Sequence, residues 1–116
     1  MDERIEKAFE VANYMATLSN QRRIILEEYN QKLVHYINGA TFQVTPELIN
    51  FTKTLLDIGK TTDVTLIDSN NFPVQIVDVQ QFFDSIVNIY FEATTEYDIK
   101  YSALKSKRSI LAIVEL

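Results

Sequence analysis

The 116-residue chain has one-domain length, and its 47% hydrophobic residues are enough for a modest core. Sixteen acidic against eleven basic side chains give a net charge of −5, which repels nucleic-acid backbones and anionic membrane surfaces. The absence of cysteine excludes a disulfide framework and a thiolate metal site, and no apolar run approaches the roughly 20 residues that span a bilayer.

The first ten residues, "MDERIEKAFE", are acidic and amphipathic, so no export signal is recognisable and a soluble chain is expected. Two glycines and two prolines favour long helices, and no linker or repeat divides the sequence. A single domain over residues 1–116 is the expectation.

Residues 3–30 read as one long helix. Ile5, Ala8, Ala12 and Met15, then Leu26, Tyr29 and Leu33, keep a three-four alternation, the spacing of a helix-packing seam. "SNQRR" interrupts it at residues 19–23 with Ser19 and Arg22 in seam positions, but no Gly or Pro breaks the helix there. A hairpin over 33–44 follows. Its strands 33–37 and 40–44 flank Asn38-Gly39, the pair that best tolerates the positive φ of a type I′ turn.

"TPEL" then starts a helix over 46–58, with Thr45 as N-cap and Pro46 in the first helical position. Leu48, Ile49, Phe51, Thr52, Leu55 and Leu56 supply its apolar face, and Gly59 ends it in the left-handed position. A second hairpin over 63–77 turns through "SNNFP", with Val64 and Leu66 on one face. Asp78 with Gln81 begins a last helix over 79–108. Val79, Phe82, Phe83, Ile86, Ile89, Tyr90 and Ala93 give that helix a broad apolar face, which narrows to Tyr97, Tyr101 and Leu104. A helix that leaves the core to pair with a single partner helix has this pattern.

Residues suited to catalysis are few and isolated. His35, the one histidine, has no cysteine partner and no nucleophile at a triad-like spacing, so it reads as a hairpin-face residue. "DSNN" resembles half a calcium loop but lacks the alternating ligands, the central glycine and the closing glutamate; Asp63, Asp68 and Asp78 read as turn and cap residues. "KSKR" at 105–108 suits a helix C-terminus better than a nucleic-acid patch. Two glycines twenty residues apart make no phosphate loop. The expectation is a non-enzyme with no cofactor, no metal, and neither nucleic acid nor membrane as partner.

The order of "ATFQVTPELINF", "VTLIDSNNFPVQIVDVQQFFDSI" and "YFEATTEYDIKYSALKSKR" resembles that of small uncharacterised proteins of T-even-like marine cyanophages over nearly the whole chain. More loosely, residues 36–108 are similar to a domain of unknown function found in phage tail-fibre-associated proteins. The resemblance implies a phage origin, a virion or assembly role, and a place in the host cytoplasm or the virion. It carries no catalytic residues with it.

The sequence therefore predicts an α+β chain. Two β-hairpins and a middle helix form a small head, and two long, roughly antiparallel helices pack together. The acidic start (Asp2, Glu3, Glu6) is expected opposite Lys105, Lys107 and Arg108. Ile5, Phe9, Met15, Tyr97, Tyr101 and Leu104 are the candidate interface of a homo-oligomer, with other virion proteins as further partners. The preferred function is a phage structural or assembly protein acting through protein–protein contacts. The alternative is a small monomeric regulator that binds a host or phage enzyme, and a nucleic-acid accessory factor ranks last.

Overall fold

The computed structural model describes residues 2–115, with side chains through residue 107. The elements are α1 (Glu3–Lys32), β1 (Val34–Ile37), β2 (Ala40–Gln43), α2 (Pro46–Asp57), β3 (Thr62–Ile67), β4 (Pro73–Asp78) and α3 (Val79–Glu115). Three helices and two separate antiparallel hairpins make an α+β arrangement with long helices at both ends. The chain divides into two compact units: Asn30–Thr94 forms a mixed unit, and the residues up to Tyr29 join those from Thr95 onward in a two-helix unit.

Local chemistry sets the boundaries within the mixed unit. Asn38 and Gly39 both take positive φ, 51° and 75°, as a type I′ turn requires, and Ile37 pairs with Ala40 across it. The Leu48 N–H donates to Thr45 Oγ1 at 3.1 Å, satisfying one of the free donors at the start of α2. At the other end of α2, Gly59 has φ 84°, its N–H donates to the Leu56 carbonyl and the Lys60 N–H to that of Leu55. This is a Schellman closure. The Gln81 N–H donates to Asp78 Oδ1 at 3.0 Å and caps α3.

The core of this unit gathers around Phe82. Phe42 meets its ring edge-on at 5.2 Å between centroids, and His35, paired with Phe42 across the first hairpin, lies 5.6 Å away. Val44, Ile76, Val79 and Ile86 are buried as well, together with Leu66 on β3, and Ile76 borders one groove with Phe82. Thr52 is buried too, and its hydroxyl donates to the Leu48 carbonyl at 2.7 Å, so no polar group is stranded. Phe51 departs from expectation. It points outward, 52% exposed, because it stands 100° around α2 from Thr52, whose side the core covers.

Candidate interaction surface

The candidate surface lies on the two-helix unit, where α1 and the second half of α3 pack antiparallel. Tyr29 meets Tyr97 with ring centroids 4.9 Å apart. One turn further, Lys100 Nζ reaches Glu28 at 2.7 Å and Glu96 on its own helix at 2.8 Å. Further still, Leu18 and Leu104 are both buried, 3% and 5% exposed. Positions fall on α1 as they rise on α3, which fixes the direction.

The Glu28 and Glu96 carboxylates accept from the Lys100 ammonium and push its pKa up to about 12. An ion pair in an otherwise apolar seam holds one register, because sliding either helix by a turn would separate it from Glu28. The sequence reading missed both residues. The available signal was their position: Lys100 lies three after Tyr97 and four before Leu104, on the seam itself.

The seam that α3 covers shares Tyr29 with the one the three-four alternation suggested but departs from it over residues 5–26. Val11, Leu18 and Ile25, spaced by seven, are half-buried or buried, as are Glu28, Tyr29 and Leu33 further on, while Ile5, Ala8, Ala12, Met15, Ser19 and Leu26 are exposed. The covered line lies one residue, or 100°, around the helix. α1 thus carries two apolar lines, and α3 occupies one.

Of the six candidate interface residues, Leu104 is buried inside the pair and Tyr97 lies between Tyr29 and Tyr101, whose ring stacks on it at 6.0 Å. Met15 and Tyr101, each 37% exposed, share the mouth of a cleft of about 160 Å³ with Leu18, Ser19, Arg22, Leu104 and Lys105. Ile5 and Phe9 stand apart from this group on the first turns of α1, 47% and 59% exposed.

The expected charge match between the ends is displaced. Lys105 stands beside Met15–Arg22 rather than beside Glu6, roughly 13 Å further along at 1.5 Å per residue. The cause is the register, in which Tyr29 meets Tyr97, Glu28 meets Lys100 and Leu18 lines one cleft with Leu104, so Lys105 falls opposite the middle of α1. The Arg108 side chain lies outside the described ones. Asp2 has a local role, accepting the Arg4 N–H at 3.1 Å as the cap of α1.

Elsewhere, the polar residues suited to chemistry are engaged in the fold. Asp68 is 6% exposed, and its Oδ1 accepts the Asn70 and Phe72 N–H groups at 2.9 Å each. These backbone donors, Phe72 first, hold its carboxyl below the usual range. Burial against Phe82 lowers the His35 pKa, favouring the neutral ring. His35 and Asp78 border one groove of the mixed unit with Ile76, Gln81, Phe82 and Ser85, but Asp78 is bound to the α3 N-terminus. Among the described residues, no group of three or more His, Asp or Glu side chains could hold a metal ion, and no helix is long and apolar enough to cross a membrane. No protein-family model, curated protein or solved structure matches the chain.

Proposed function

We propose that this chain is an assembly protein that acts through protein–protein contacts and associates with further copies of itself through the two-helix unit. The observation that carries this reading is the second apolar line of α1. Ile5, Ala8, Ala12, Met15 and Leu26 keep a packing-seam spacing yet face outward, with Phe9 beside them. A three-four apolar spacing is the pattern of a line that another helix covers, and large exposed apolar patches mark association sites.

A phage structural role is the setting we favour, on the resemblance in element order, with other virion proteins as further partners. The reading includes no reaction. The polar residues best placed for one, His35, Asp68 and Asp78, serve packing, turn and cap instead. Sedimentation equilibrium at micromolar concentration tests the self-association. A dimer or larger species is expected, and a monomer overturns the reading. Mass spectrometry of purified virions tests the setting, because a protein absent from particles is not a virion component.

A further inference from the structure

We propose that two copies pair through the outward face of α1, antiparallel about a two-fold axis, so that Ala8 of each copy meets Ser19 of the other. This pairing rests on the self-association proposed above and adds which surfaces meet and in which direction.

The outward line has a size pattern that fits itself when reversed. Laid antiparallel with Ala12 against Met15, it places Ala8 against Ser19 and Ile5 against Arg22. A small residue then faces the large Met15, and the Ala8–Ser19 layer lets the two backbones approach closely. In the parallel alternative, Met15 meets Met15 and Arg22 meets Arg22.

Charge decides the same way. The first turns of α1 carry Asp2, Glu3, Glu6 and Glu10 against only Arg4 and Lys7; the cations Arg22 and Arg23 lie two to three turns past the proposed axis, Arg23 paired with Glu27 at 2.7 Å. A reversed copy sets the acidic end beside the basic one. A parallel copy sets each beside its like, which is repulsive. Residues 11–20, through which the axis passes, hold no charged side chain, so covering them desolvates no ion.

Because each copy gives and receives the same contact, the interface closes at two.

The chain has no cysteine, so introduced thiols report geometry cleanly. Ala8→Cys and Ser19→Cys are made separately in the full chain, their folding is checked by circular dichroism, and they are oxidised alone and mixed. Both positions are exposed. If either variant fails to fold, Ile5→Cys with Arg22→Cys, whose own counterparts lie still further apart along the axis, replaces the pair. The expected result is a disulfide in the mixture, joining one variant to the other, and none in either alone. In an antiparallel pair, each residue 8 lies about 16 Å along the axis from its own counterpart, too far for a bond that needs Cα atoms within about 7 Å. Bonds within each variant alone overturn the antiparallel pairing. So does the absence of any bond when sedimentation still gives a dimer, and in both cases self-association stands. A monomer by sedimentation overturns both proposals.

Discussion

The Ser69 N–H donates to the Thr41 carbonyl at 2.8 Å, tying the turn of the second hairpin to the outer edge of the first. Beside it, the Thr41 N–H donates to Asp68 Oδ2 at 3.4 Å and the Gln43 N–H to Ser69 Oγ at 2.8 Å. An open strand edge is a template for unwanted pairing, and here a neighbouring turn covers it. The same Asp68 carboxylate organises that turn from within, so one side chain serves both hairpins.

Acid should therefore loosen the mixed unit through Asp68. Its folded pKa is below the ordinary 3.8, so its stabilising contribution is complete above that value and is lost as pH falls through the lower folded value. Denaturation midpoints measured downward from about pH 5 should fall less steeply for Asp68→Asn than for the parent. Equal slopes would assign the acid sensitivity to other carboxylates.

His35 gives a pH dependence in a different window. Burial lowers its pKa from 6.5, so the folded state prefers the neutral ring and the unfolded state binds the proton more readily. Its contribution is complete above 6.5 and declines as pH falls through the lower folded value. His35→Gln should remove this component, and an imidazole proton resonance titrating below 6.5 would confirm the cause. Titration at or above 6.5 would contradict it.

Gly39→Val should destabilise the fold by about 1 kcal/mol or more, because a β-branched side chain resists a φ of 75°. A Cβ added at Gly39 meets nothing within 4 Å, so backbone strain alone carries the cost. An unchanged denaturation midpoint would show that the turn adopts another form in solution.

Asp78→Ala should lower stability by about 1 kcal/mol through loss of the α3 cap, whereas Asp78→Asn should cost much less because asparagine caps as well. Chemical denaturation of the two variants separates the possibilities. A large loss for both would mean that the charge, rather than the acceptor oxygen, matters at this position.

The Glu28–Lys100 pair should couple favourably in a double-mutant cycle, with the coupling shrinking as salt rises, since both side chains are partly exposed. The raised Lys100 pKa implies stability that is complete below 10.5 and lost as pH climbs through about 12. Zero coupling at low salt would remove Lys100 from the register-holding role.

Much of the local structure was legible in the residues themselves, because it depends on neighbours in sequence. Asn38-Gly39, Thr45-Pro46, Gly59 and Asp78 each satisfy a backbone requirement within a few positions, and each lies where those requirements place it. Tertiary contacts decided the rest. Periodicity showed that α1 has an apolar seam, but two lines 100° apart both qualify, and only the placement of α3 beside Leu18, Ile25 and Tyr29 determined which residues remained open. Asp68 reads as a turn residue from its neighbours; its second role depends on Thr41, 27 positions away, which no local pattern brings near. Lys100 likewise looks like one more surface cation until Glu28, 72 residues earlier, is placed against it. A chain encodes its turns and caps locally, whereas the pairing of helix faces depends on which long-range contacts exclude the most water.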